Sequence, residues 1–333
     1  MVRKKNITII GAGAWGTALA LLMARGDHHV YLMPQTLDHA DELETFRENK
    51  TYFPGVPLDS RIHITCDREV FKETDIILWV IPAQYSRGLL SDLKDHIPGH
   101  IPIIVCSKGI DCTQTQVTHQ SLLSVIINKL TDNPLAVLSG PNFALEVAQG
   151  MPAAATLASN TLEFANTLAK DLSQPLFQLF PSDDIIGVQV TGAIKNVLAI
   201  ASGLVAGKGL GQNINAALIT QGLAEIRHLG IAMGAQSHTF FSLAGMGDLI
   251  LTCTSTQSRN TSLGFALADG QTLDQILASR NNISEGVYTA KAVHTLAKHY
   301  NVDMPICNAV YRLLYEGETI HQTLASITTL KPL

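Results

Sequence analysis

Two charges stand in stretches that are otherwise apolar, and they are the first places to look for chemistry. Lys195 lies within Val188-Gln189-Val190-Thr191-Gly192-Ala193-Ile194-Lys195-Asn196-Val197-Leu198. An ammonium is costly to bury without a partner, and burial draws its pKa down toward the range in which it can protonate a developing alkoxide and recover the proton in reverse. The other reading is a lysine whose methylenes are buried while its head reaches water, and the pattern leaves both open. Asp248 is equally isolated, in Leu243-Ala244-Gly245-Met246-Gly247-Asp248-Leu249-Ile250-Leu251. It reads either as a helix N-cap or as the carboxylate that balances Lys195. Lys108, in Val105-Cys106-Ser107-Lys108-Gly109, follows an apolar run at the point where open α/β sheets bind their ligands. Ser258-Arg259-Asn260 ends a polar run that begins at Thr252, and its guanidinium and amide suit phosphate oxygens. On its own, that run would be an ordinary polar loop. The set calls for no metal.

A second kind of chemistry is written in the backbone. Gly11-Ala12-Gly13-Ala14-Trp15-Gly16 follows the β-branched run Ile7–Ile10 and opens into Thr17-Ala18-Leu19-Ala20-Leu21-Leu22, a helix-forming stretch. In that setting Gly11 permits a tight turn, Gly13 lets a pyrophosphate approach the main chain, and Gly16 allows helix and strand to touch, while the helix N-terminus favours the anion. The expectation is a dinucleotide site. The acidic residue that would hold a ribose 2′-hydroxyl about twenty positions on is missing, since Met33-Pro34-Gln35-Thr36 stands there and Asp38 falls later. No arginine replaces it, so NAD and NADP both remain open as the cofactor.

These residues need elements to hold them. The runs Ile7–Ile10, Val30–Met33, Ile76–Ile81, Ile103–Cys106 and Ala136–Leu138 are continuously apolar, as parallel strands covered on both faces require. They predict an α/β fold with an N-terminal doubly wound, Rossmann-type parallel sheet. Beyond about residue 185 the period becomes helical, in Gly192–Val205, Ile214–Leu229, Ser262–Ala268, Thr272–Ser279 and Val287–His299. The expected division is therefore a dinucleotide-binding domain at 1–187 and an all-helical substrate and catalytic domain at 188–333, with the boundary between Ile185 and Val190.

Composition narrows the class. A chain of 333 residues, 46% apolar and 15% charged, has material for two cores. Its formal net charge of -5 offers no basic field for nucleic acid. Five cysteines without metal-type spacing fit a reduced, cytoplasmic protein. The basic N-terminus Met1–Lys5 imitates a secretory signal, but its apolar run passes into the glycine pattern. The apolar tract Val197–Gly207, bounded by Lys195 and Lys208, is too short to span a bilayer, so no membrane segment is expected. A homodimer is the default assembly.

Taken together and in order, these blocks resemble the bacterial NAD(P)-dependent glycerol-3-phosphate dehydrogenases along nearly the whole chain. The residues that carry the resemblance are Gly11–Gly16, Asn49–Gly55, Ser107-Lys108-Gly109, Leu138-Ser139-Gly140-Pro141-Asn142-Phe143-Ala144, Gly192–Val197, and Ala244–Ser255 running on to Ser258-Arg259-Asn260. The resemblance implies hydride transfer between NAD(P)H and dihydroxyacetone phosphate, giving sn-glycerol 3-phosphate for phospholipid synthesis. It implies that Lys195 is the proton donor, with Asp248 and Lys108 polarising and positioning the substrate. It further implies substrate binding by Gly140, Ser258, Arg259 and Asn260, with Ala14, Trp15, Lys108, Ala144, Arg259 and Glu285 bordering the cofactor.

Three positions depart from the family pattern. Gln35 replaces a basic residue common after the second strand, Asn142 a usual serine or threonine, and Gln221 a common arginine. Asn142 is expected still to form hydrogen bonds. Two rival readings share parts of the pattern: a 3-hydroxyacid or phosphogluconate dehydrogenase, and a redox-sensing binding protein that has lost catalysis. The context of Lys195 and the Ser258–Asn260 block count against the first, and the intact Lys108, Lys195 and Asp248 against the second.

Overall fold

The structure, a computed structural model, describes residues 4–114, 117–279 and 285–329. The chain forms two compact units. The first comprises Met1–Ser107, Ser124–Leu138 and Asn142–Ile185, and the second Lys108–Leu123, Ser139–Pro141 and Ile186–Leu333. The last crossing between them lies at Ile185–Ile186. A change of period cannot reveal that two short segments, after residues 107 and 138, are drawn into the second unit by side-chain contacts described below.

Among the described residues the first unit is built on an eight-stranded sheet. Its strands are β1 (Asn6–Ile10), β2 (His29–Met33), β3 (Ile62–Ile64), β4 (Ile76–Trp79), β5 (Ile103–Val105), β6 (Leu135–Ser139), β7 (Ala153–Ser159) and β8 (Phe177–Ser182), in spatial order β3-β2-β1-β4-β5-β6-β7-β8. Neighbours from β3 through β6 run parallel, as do β7 and β8. Helices α1 (Ala14–Arg25), α2 (Leu37–Phe46), α3 (Ala83–Leu93), α4 (Leu123–Leu130), α5 (Ala144–Ala148) and α6 (Leu162–Leu172) connect them. Ile7, Ile9 and the whole of β4 are buried, which explains why continuous apolar runs, not alternating ones, mark these strands. The order reverses at β1, whose Ile7 pairs with Val30 of β2 on one side and Ile76 of β4 on the other. A crevice at the carboxyl end of β1 follows, where doubly wound sheets bind ligands.

Three strands lie outside the five runs. β3 has three residues, too few to register a period, and β7 is rich in alanine, a weak strand former. β8 carries Pro181, tolerated because β8 is an edge strand.

The second unit is helical, with α7 (Ile185–Gly207), α8 (Gln212–Ala232), α9 (Asp248–Thr254), α10 (Arg259–Ala268), α11 (Leu273–Ala278), α12 (Glu285–Tyr300), α13 (Pro305–Tyr315) and α14 (Ile320–Thr328). α7 is longer than the tract read from the sequence. Its 23 residues would suffice by length and composition to cross a bilayer, yet 94% of its apolar window is buried within the protein. It is a core helix, apolar all round because it is covered all round.

Candidate functional site

The glycine loop of the first unit has the geometry of an anion cradle. Gly11 has φ +108°, a left-handed conformation open to glycine, and a Cβ there would lie 2.9 Å from the carbonyl oxygen of Val80. A Cβ on Gly16 would fall 1.8 Å from the carbonyl oxygen of Gly11, so α1 packs against the loop at a distance only glycine permits. At Gly13 nothing lies within 4 Å of that position. Space is left over the main chain where α1 begins. α1 has no side-chain cap and no acidic residue in its first turn, so its leading amides are unopposed. The indole Nε1 of Trp15 is buried without a hydrogen-bond partner. An open amide terminus, room above Gly13 and an orphaned donor fit a bound dinucleotide. Asn49, 1% exposed, holds the loop in place by donating to the carbonyl of Ala12 at 2.9 Å and to the Thr17 hydroxyl at 2.8 Å.

The second unit assembles Lys108, Lys195 and Asp248 into one cluster. Lys195 is 5% exposed and donates to Asp248 Oδ1 at 2.5 Å and to Thr252 Oγ1 at 2.7 Å. Of the two readings left open, the partnered one holds, since the ammonium is bonded to Asp248 and Thr252 and its side chain is only 7% exposed. Lys108 Nζ donates to the other carboxylate oxygen, Oδ2, at 2.8 Å and to the carbonyl of Gly140 at 2.8 Å. Asp248 is the first residue of α9, yet its side chain caps nothing. Both its oxygens are spent on ammoniums, which settles the choice between cap and counter-ion. The Ser139 hydroxyl adds a long contact to Oδ2 at 3.5 Å.

Two ammoniums around one carboxylate leave the cluster with a net positive charge, suited to a phosphorylated substrate and to an alkoxide. Burial, aided by the nearby Lys108, pulls the Lys195 pKa down to about 8 against the opposing pull of Asp248. An ammonium has three donors, and two of those on Lys195 are taken, so one remains for an incoming oxygen. Cys253 is not a competing base, since burial pushes its thiol up to about 12.

A relay of amides fixes the backbone around the cluster. Gly286 N, in the first turn of α12, donates to Asn260 Oδ1 at 3.2 Å; Asn260 Nδ2 donates to Asn196 Oδ1 at 3.0 Å; and Asn196 Nδ2 donates to the carbonyl of Lys108 at 3.0 Å. Gly192 lets this strand-end segment approach α7, for a Cβ there would lie 2.8 Å from Ser139 Oγ. Of the residues read as phosphate ligands, Ser258 caps α10 by accepting from Thr261 N at 3.2 Å and keeps its hydroxyl proton. Arg259 opens α10, and Asn260, 8% exposed, retains one amide hydrogen beyond the relay. Glu285 opens α12 in the second unit, whereas Ala144 opens α5 in the first. Asn142 donates to the carbonyl of Ala154 at 3.3 Å, as expected of it. Gln221 lies in α8. Nearby in the second unit, a cavity of about 350 Å³ lined by Gln212, Asn215, Thr254 and Phe265 includes none of Lys108, Lys195 and Asp248.

Thr252, Asn196, Ser139 and Asn49 were not read from the sequence as site residues. Thr252 stands one helical turn after Asp248, and Asn196 is a polar residue inside the same apolar run as Lys195, so both carried a usable signal. Ser139 and Asn49 lay within blocks that carry the family resemblance, but only the fold brings them to their partners.

The two halves of the chain match known family models. Residues 6–165 match the NAD-dependent glycerol-3-phosphate dehydrogenase N-terminus and residues 184–325 the C-terminus of the same family. A glycerol-3-phosphate dehydrogenase [NAD(P)+] of Rhodospirillum rubrum is 44% identical over 97% of this chain and 91% of its own length. Among solved structures, a glycerol-3-phosphate dehydrogenase of Coxiella burnetii superposes with a TM-score of 0.92 at 36% identity, covering 98% of this chain and 99% of that one. The yeast enzyme of the same name gives 0.81 at 27% identity, over 98% and 99%.

Proposed function

The chain belongs to the NAD-dependent glycerol-3-phosphate dehydrogenase family, and from that premise we propose that it is an oxidoreductase acting on a CH-OH group, interconverting dihydroxyacetone phosphate and sn-glycerol 3-phosphate with NAD(P) as cofactor. One observation carries the chemistry: the buried Lys195 ammonium, drawn down to about 8, hydrogen-bonded to Asp248 and holding one donor in reserve.

The chemistry supplied by the bound cofactor is hydride transfer at the carbonyl carbon. The protein's own residues do the rest. Gly11, Gly13, Ala14, Trp15 and Gly16, with Ala144 of the same unit, would hold the dinucleotide, and the family resemblance assigns Lys108, Arg259 and Glu285 of the second unit to the cofactor as well. Arg259, Ser258 and Asn260 receive the substrate phosphate, and Lys108, beside the Gly140 carbonyl, orients the carbonyl end. Lys195 would give a proton to the substrate oxygen as that oxygen gains charge, and in the reverse direction would take one back. Asp248 keeps Lys195 aimed and lowers the cost of holding two ammoniums together. The gain is in the transition state, where the oxygen is most negative.

The product feeds glycerophospholipid synthesis, and the protein acts as a cytoplasmic homodimer without nucleic acid or membrane partners. None of the five cysteines is in a disulfide, which suits a reducing compartment, and a twofold dimer is the commonest closed assembly. The function is tested by following NADH and NADPH oxidation with dihydroxyacetone phosphate against 3-hydroxyacid and sugar-acid substrates. Turnover with the first is expected, and none would overturn the proposal. Light scattering on the eluted protein tests the dimer.

A further inference from the structure

We infer that this chain selects NADH over NADPH, through the groups that the first unit gathers at the carboxyl end of β2; the inference rests on the cofactor site proposed above. The two cofactors differ at one place, the adenosine ribose, which carries a 2′-hydroxyl in one and a 2′-phosphate dianion in the other. In a doubly wound domain that position falls just beyond the second strand. What stands there decides whether a dianion is neutralised or opposed.

Past Met33 the chain runs through Gln35, Thr36, Leu37 and Asp38, all exposed. The Thr36 hydroxyl is occupied as the cap of α2, accepting from His39 N at 3.3 Å. Asp38 lies in the first turn of that helix, so a carboxylate already takes the anion-favouring end. The segment after β3 closes on the same backbone: Cys66 Sγ donates to the carbonyls of Pro34 at 3.6 Å and Thr36 at 3.8 Å. Burial and the neighbouring Asp41 push that thiol up, so this wall is neutral and has a second carboxylate behind it.

Among the described residues, the cations of the flanking segments have other partners. Arg68, two residues after Cys66, donates to the carbonyl of Asp92 at 3.3 Å and lies 3.1 Å from His96 Nε2, the Arg47 guanidinium donates to the carbonyls of Asp59 at 2.7 Å and Ile62 at 2.9 Å at the amino end of β3, and Lys50 sits 3.1 Å over the ring of Phe46. His39 follows Asp38 and is half-buried. Gln35 remains as the exposed group best able to meet a ribose, since its amide both donates to and accepts from hydroxyls but carries no charge against a dianion. Hydroxyl recognition is supplied, and charge neutralisation is not.

Titration of the full chain with NADH and with NADPH, read by nicotinamide fluorescence, tests this without reliance on turnover. NADH is expected to bind at least about tenfold more tightly, and Gln35→Arg, which removes the amide and adds a fork suited to phosphate, should tighten NADPH several-fold, weaken NADH and so shrink or reverse the ratio of the two affinities. Asp38→Asn should narrow the gap in the same direction, with thermal melting confirming that both variants fold. Equal or tighter binding of NADPH by the wild-type chain overturns the inference, and so does a ratio that neither variant moves. If neither cofactor binds, the inference and the proposed cofactor site fail together. If NADH binds selectively but dihydroxyacetone phosphate is not reduced, the inference stands and the proposed reaction falls.

Discussion

The glycine loop of the first unit and the lysine–carboxylate cluster of the second are built from opposite materials. The loop is six consecutive residues whose work is done by main-chain amides and by the absence of side chains. The cluster takes charged ends from residues 140 and 53 positions apart and buries them around one carboxylate. The loop should therefore be damaged by adding atoms, and the cluster by removing charges.

The largest effect is expected at the cluster. Lys195→Ala should lower turnover by about a hundredfold or more, the usual worth of a positioned proton donor, while leaving NADH affinity in a fluorescence titration unchanged. A loss of only a few-fold would end the assignment of proton transfer to this residue. Next comes Asp248→Ala, which leaves two ammoniums facing one another. Removing one partner from a buried ion pair typically costs about 3 kcal/mol or more, to be read as a lowered midpoint in urea unfolding. Unchanged stability would mean that the lysines find other partners.

The loop sharpens the contrast with a matched pair of substitutions. Gly16→Ala puts a methyl 1.8 Å from a backbone oxygen and should cost about 2 kcal/mol or more in stability. Gly13→Ala meets nothing within 4 Å, so it should cost no more than about 1 kcal/mol, from the poorer N-cap that alanine makes, while dinucleotide affinity falls sharply. Equal damage to folding from both would contradict the cradle geometry.

The smallest expected effect is a shift in pH dependence. With Lys195 at about 8, ketone reduction should decline as pH rises through that value and the donor is lost. Because Lys108 contributes to that depression, Lys108→Met should move the decline upward, whatever it does to the rate. The linkage to stability has the opposite sign to that of a salt bridge. Between about 8 and the ordinary lysine value of 10.5 the folded chain binds fewer protons than the unfolded one, so this lysine's contribution to stability grows as pH rises across that window. Unfolding midpoints measured at pH 8 and pH 10 in the wild type and in Lys195→Met would check the sign.

Legibility followed the same division. The strand–loop–helix around Gly11–Gly16, the five apolar strands and the change to helical period are local patterns, and local patterns are what a sequence displays. Lys195 and Asp248 were conspicuous because each sits in an apolar stretch, but their pairing, and the choice of carboxylate over cap for Asp248, needed two helices to be brought together. The alanine-rich β7 and three-residue β3 gave no period, and the transfer of Lys108 and Gly140 into the helical unit left no trace in the order of elements.

The sequence by itself therefore determined the dinucleotide loop and its anion-favouring helix, since both depend on residue types at adjacent positions. It also determined that two charges had to be buried and explained. Only the tertiary structure decided that both oxygens of Asp248 are shared between two lysines and that the Asn260–Asn196 relay fixes the segment carrying one of them. It likewise decided that the Arg47 guanidinium is already engaged by the carbonyls of Asp59 and Ile62. Those are facts about which distant atoms share a few ångströms, and no short-range pattern encodes them.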